Sequence, residues 1–284
     1  MRAPSGLGYL YCLAAGPPGT PGEDAAPDLA GRLLGIDGSP VRCLTVSGAG
    51  PALGSAAAWV GSVAGGPGVT VERAVQHDRV CDAAVRGGWD VLPARFGQTF
   101  VDDDALRIDL GRRGHDLAPL WHRIGGAVEM EVIIQFAHAP AVGDKSPNRT
   151  VAASAGTGRA YLERIAEPVR AQQRLLSLAE PVRRALRTLL GDAIREELVR
   201  TQVEARSVSF AHLVDRAAVR DYVAGVARLP DQGLARRALV SGPHAPYSFV
   251  ATPLAAPAPS EGPPAAAATG AATARSGCDV ATRS

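Results

Sequence analysis

Apolar and polar residues divide the chain into stretches of different period. Alternation through "GYLYCLAA" predicts a first strand over Leu7–Ala14. The prolines and glycines of Gly16–Asp28 fit neither a ladder nor a helix, so a loop follows. A short helical piece over Leu29–Leu34 and the turn "GIDGSP" lead to a strand at Val41–Val46. After it come Gly48, Gly50 and Gly54, then an alanine-rich region, and "PGVTVE" (Pro67–Glu72) reads as a strand ending in an acid. "ERAVQHDRVCDAAVRGG" gathers Ala74, Val75, Val80, Ala83, Ala84 and Val85 mostly on one side of a helix, which Gly87 and Gly88 end. "WDVLPARFGQTFVDD" is strand-like and interrupted at Pro93, and "ALRIDLGRRGHDLAPLWHRIGG" reads as helix with polar breaks. "AVEMEVIIQF" (Ala127–Phe136) alternates and then turns wholly apolar, as a central strand does.

Beyond Phe136 the pattern changes. Residues 137–158 are rich in loop formers and read as a linker. Leu186, Leu189, Leu190, Ala193, Ile194 and Leu198 then form an amphipathic helical stripe, the mark of a helix packed on another helix. "AEPVR" occurs at Ala166–Arg170 and again at Ala179–Arg183. A proline inside a helix costs about 3 kcal/mol, so each copy predicts a helix start or a kink. "ALVSGPHAPYSFV" (Ala238–Val250) reads as strand, turn and strand-like segment, and from Thr252 the Ala/Pro/Ser/Gly composition predicts disorder. The expected organisation is an α/β first domain over 1–136, a linker over 137–158, a helical domain with a closing strand segment over 159–251, and a tail over 252–284.

Composition refines this picture. The chain has 284 residues, 46% of them hydrophobic but only 5% aromatic, so its core is built from Leu, Val, Ile and Ala. A formal net charge of +2 sets up no field that would recruit nucleic acid or an anionic membrane. Four cysteines (Cys12, Cys43, Cys81, Cys278) lie far apart, against a zinc site or a disulfide framework and in favour of a reducing cytoplasm. The N-terminal apolar run is short and carries Tyr9 and Tyr11, so it reads as strand and not as a signal peptide.

The candidate chemistry is sparse. Gly48, Gly50 and Gly54, with Glu72 downstream, approximate a dinucleotide-binding turn. Pro51 withholds an N–H from any phosphate, and no succession of βα units follows. An NAD(P)-dependent oxidoreductase is therefore the alternative reading only. His77-Asp78 reads as a surface or capping pair, and His115, Asp116 and His122 lack a third ligand at helical spacing. Asp102-Asp103-Asp104 reads as a solvated turn or helix cap. Nothing assembles a nucleophile, a base and an orienting group, and neither cofactor nor metal is predicted.

"VLPARFGQTF" (Val91–Phe100), "GTGRAYLERIA" (Gly156–Ala166) and "GPHAPYSFV" (Gly242–Val250) occur in that order, supported by "YLYCLA", "GIDGSPV" and "AHLVDRAAVRDYVAGV". Together they resemble the gas vesicle protein F/L family over about Leu7 to Val250. The resemblance implies an α+β fold, with an N-terminal modified ferredoxin-like domain and a mainly helical, coiled-coil-like C-terminal domain. It implies a non-enzymatic assembly or minor structural protein of the gas vesicle, a hollow protein shell. The implied partners are the very hydrophobic major shell protein and other gas vesicle accessory proteins. The family places Trp-Pro where this chain has His244-Ala245. Read on the motifs, the partner-binding or interdomain candidates are Leu92, Arg95, Phe96, Tyr161, Pro246, Tyr247 and Phe249. Arg95 is the one charge of its motif, and Tyr247 and Phe249, two apart, are expected on one face of an extended segment closing the core against the first domain.

Overall fold

The computed structural model describes residues 6–16, 25–46, 56–65, 68–136, 157–229 and 237–250. The first half contains strands β1 (Leu7–Ala15), β2 (Arg42–Thr45), β3 (Ala57–Val63), β4 (Asp90–Pro93) and β5 (Thr99–Phe100). Its helices are α1 (Ala25–Gly31), α2 (Val71–Arg86) and α3 (Asp103–Ile124). The second half runs β6 (Ala127–Gln135), α4 (Thr157–Leu190), β7 (Ile194–Gln202), β8 (Ser207–Asp215), α5 (Val219–Val226) and β9 (Arg237–His244).

Two antiparallel sheets organise these elements, in the orders β2-β3-β1-β4, with β5 also on β1, and β7-β8-β6-β9. Each half therefore repeats one plan. The path is β-α-β-β-α-β, and across the sheet the strands lie fourth, first, third, second.

Local chemistry explains most boundaries. Thr70 accepts a hydrogen bond from the Arg73 N–H and caps α2, whose first turn holds Glu72. Asp102 caps α3 through the Ala105 N–H at 2.8 Å, as its acid run predicts. The register of β1 shifts between Leu10 and Cys12. Tyr9, Tyr11, Cys12 and Ala14 face the α2 side, and Leu10, Leu13 and Ala15 face α3. The first sheet is thus covered on both faces. The second packs Val128, Met130, Val132 and Ile134 of β6 against Leu175, Ala179, Val182 and Leu186 of α4 and Tyr222 and Val226 of α5. Its opposite face carries a small group, Ala127, Ala211, Leu213 and Phe249.

The structure departs from the sequence reading in several places. The second half sets a four-stranded antiparallel sheet beside its helices, where the sequence predicts only a closing strand segment. The stripe from Leu186 to Leu198 is two elements: α4 ends at Leu190, Gly191 takes φ 52°, and Ile194 and Leu198 belong to β7. A spacing of four fits a helix and also two strand repeats, so Leu190, Ile194 and Leu198 mimic one continuous face. Pro168 and Pro181 start no helix, since α4 runs through both. "AVEMEVIIQF" is a central strand, but of the second sheet and not the first. "PGVTVE" contributes the start of α2 and no strand, and the alanine-rich region supplies β3. Gly48, Gly50 and Gly54 lie outside the described residues, as do residues 137–156 and the tail from 252.

Candidate functional site

The two motifs "LPARFG" and "PYSF" meet around a buried histidine. Strand β1 brings Tyr9 and Tyr11, α2 brings His77 and Cys81 one turn apart, the loop after β4 brings Phe96, and the turn after β9 brings Tyr247. The His77 ring centroid lies 5.6 Å from those of Tyr9 and Tyr11, 5.8 Å from Phe96 and 6.1 Å from Tyr247. Tyr9 and Phe96 meet the imidazole edge-to-face, a favourable aromatic geometry, and Tyr11 and Tyr247 lie tilted to it.

Hydrogen bonds fix the cluster. The Gly97 N–H donates to Tyr9 Oη at 3.0 Å, and the Ile36 N–H donates to Tyr11 Oη at 2.8 Å. Tyr9 Oη also hydrogen-bonds His77 Nδ1, 2.9 Å away. His77 Nε2 is 3.9 Å from Cys81 Sγ, which lies 3.3 Å from the Tyr11 carbonyl oxygen. Burial raises the Tyr9, Tyr11 and Tyr247 hydroxyls and the Cys12 thiol. At Cys81 burial also opposes ionisation, but hydrogen bonds to Cys12 and His77 outweigh it and draw the thiol down to about 6. A reactive thiol also needs access. Cys81 is 0% exposed and His77 2%, so the cluster is sealed and acts as a packing node.

Ion pairs and carbonyl contacts join the halves around it. Arg216, just after β8, donates to the carbonyls of Val85 (2.7 Å) and Trp89 (2.5 Å). Arg123 of α3 pairs with Glu196 of β7 at 2.6 Å and donates to the Phe249 carbonyl at 3.0 Å. His244 of β9 reaches the Asp82 carboxylate of α2 at 3.1 Å, and this contact holds the imidazole pKa above its ordinary value. His244 is thus part of the junction.

The predicted site residues separate. Phe96 and Tyr247 come together at His77. Leu92, 0% exposed, lies on the other face of the first sheet with α3. Pro246 is buried and Arg95 is exposed. Tyr247 and Phe249 do not share a face: residues 247–249 form one tight helical turn, which sends Tyr247 to His77 and Phe249 to the second sheet. Tyr161 falls in α4, its side chain outside the described residues. Sequence reasoning missed the cluster itself. His77 is no surface or capping residue, because its position on α2 turns it onto β1. The usable signal was the pair Tyr9 and Tyr11, polar-tipped rings in an otherwise apolar strand that need partners.

Among the described residues no group of three His, Cys, Asp or Glu side chains is placed to hold a metal ion, and no helix is long and apolar enough to cross a membrane. The segment with the three glycines joins β2 to β3, which pair antiparallel. A dinucleotide cradle needs a helix after its turn, so nothing supports the oxidoreductase alternative.

Two antiparallel sheets with helices packed on them, joined through a closed aromatic cluster, define an α+β protein. The family model described as gas vesicle synthesis protein GvpL/GvpF matches residues 7–251, and the chain belongs to that family. Its gas vesicle role follows from this membership. The crystal structure of the gas vesicle protein GvpF from Anabaena sp. PCC7120 is similar, with TM-score 0.63, 17% identity, and coverage of 87% of this chain and 96% of that one. GvpF from Microcystis aeruginosa matches with TM-score 0.61, 17% identity, and coverage of 87% and 99%. No protein with a curated description matches the chain.

Proposed function

We propose that this protein is a non-catalytic gas vesicle assembly or minor shell component, resident in the cytoplasm at the vesicle, that binds the hydrophobic major shell protein. The family match across residues 7–251 carries the reading. The sealing of His77 and Cys81 from any substrate supports a role without catalysis. The β-α-β-β-α-β path and strand order of the first unit support a ferredoxin-like domain. The length of α4, 34 residues, supports its use as a coiled-coil-like packing helix. Other vesicle accessory proteins complete the partner set, with no nucleic acid and no lipid membrane. The units are 1–126 and 127–251, with residues 137–156 connecting β6 to α4 inside the second, and a tail from 252. Phe96, Pro246, Tyr247 and Phe249 serve as interdomain residues, Leu92 as a core residue of the first unit, and Arg95 and Tyr161 are the partner-binding candidates.

Co-expression of the tagged full chain with the shell protein, followed by pull-down, tests the reading. Co-purification, and loss of vesicles on deleting the gene, is the expected result. No co-purification together with normal vesicles overturns it.

A further inference from the structure

The loop between β4 and β5 leaves a cavity of about 240 Å³ lined by Arg95, Phe96, Gly97 and Gln98. The loop is pinned from several sides. The Ala94 N–H donates to the Tyr11 carbonyl at 2.8 Å, the Leu10 N–H donates to the Gln98 carbonyl at 3.0 Å, and the Gly97 N–H is held by Tyr9 Oη. Gly97 takes φ 90°, and a Cβ there would meet open space, so the chain bends without filling the cavity. Phe96, packed on His77, makes one wall rigid.

Two unmatched groups lie in this frame. Arg95 is exposed and makes no ion pair among the described residues. Gln98 is 7% exposed, and its Oε1 is shielded from solvent with no hydrogen-bond partner. A buried acceptor left unpaired costs about 1–3 kcal/mol, and the soft terminal torsion of glutamine lets the amide turn toward an incoming donor.

We infer that this loop is a docking point for an acidic residue on an extended segment of a partner protein. Its carboxylate pairs with the Arg95 guanidinium, and its main-chain N–H meets Gln98 Oε1. Arginine forks match carboxylates in two parallel hydrogen bonds. The volume selects the size of the occupant: cofactor and drug sites run about 300–1,000 Å³, and this cavity takes a single residue. That the partner is another vesicle protein rests on the function proposed above; the binding chemistry does not.

The test is NMR titration of the full chain with N-acetyl-glutamate N-methylamide, reading the Arg95 Nε–H and Gln98 side-chain amide signals. Parallel arms use N-acetyl-glutamine N-methylamide, sodium acetate and sodium phosphate. The expected result is a saturable shift with the glutamate probe at millimolar concentration, at least five-fold weaker in each other arm and in Arg95→Gln. Gln98→Met is expected to fold with unchanged stability, because it removes an unpaired group, and to bind at least three-fold more weakly. No saturable shift up to about 10 mM, weaker than useful docking, overturns the proposal. So does an equal response to acetate or phosphate, which marks a bare anion site, or unchanged binding by Gln98→Met. Failure here leaves the pull-down result standing, and failure of the pull-down leaves this titration standing.

Discussion

His77 carries more of the first unit than its place in the sequence suggests. It touches rings from a strand, a loop and a turn that are far apart in the chain, and it hydrogen-bonds the Tyr9 hydroxyl. Removing it opens a cavity and strips Tyr9 of one partner. His77→Ala should therefore destabilise the protein by about 2–4 kcal/mol. Urea denaturation followed by tryptophan fluorescence checks this, and a change under 1 kcal/mol would refute the node. The residue was not legible because histidine at one position on an amphipathic helix is equally at home in water. Burial was decided by the angle at which α2 meets β1. Arg95 and Phe96 were legible as a motif, but not their opposite fates, one exposed and one in the cluster, because two adjacent loop residues carry no periodicity that tells them apart.

Among the elements, α4 shows how far periodicity can be followed. Ala171, Leu175, Ala179, Val182 and Leu186 are buried at steps of three and four, and Ile165 and Val169 are each 52% exposed. The helix therefore packs through its C-terminal part. Leu186→Ala should cost about 2–5 kcal/mol, whereas Val169→Ala should stay within about 0.5 kcal/mol of the parent. Thermal melts of the two variants separate these outcomes, and equal losses would mean that α4 is also covered nearer its start. The helices α2 and α3 and the strands β1, β2 and β6 were readable because period, caps and turn residues agree. Strand β7 was not, since its apolar spacing continues that of α4. Strand β8 is buried on both faces, so it lacks the alternation by which a strand is recognised.

For the whole molecule, the junction between the halves is the feature most open to measurement. His244 carries a raised pKa from its contact with Asp82. A base whose pKa is raised on folding stabilises most below its unfolded value, near 6.5, and the contribution fades as pH climbs through the folded value. His212 works the other way. Burial lowers its pKa against the pull of Glu197, so it favours the folded state above about 6.5 and costs stability as pH falls. His244→Gln should remove the first component alone. Its stability deficit should be largest near pH 5.5 and vanish by about pH 8.5, and should stay below about 1 kcal/mol because the pair is partly solvated. Melting temperatures of both proteins across that range check the sign, and a deficit that grows with pH would refute it. Strand order has a further consequence, for the timing of synthesis. The pieces of the first sheet emerge within one continuous stretch ending before β6, so that unit can close while the ribosome is still working. Strand β6 appears next, but its neighbours begin only at Ser207 and Arg237. Until α4 emerges, Val128, Met130, Val132 and Ile134 have neither sheet nor helix to cover them, and until β8 and β9 follow, β6 has no strand to pair with, so the nascent chain at that stage is the form of this protein most in need of a chaperone.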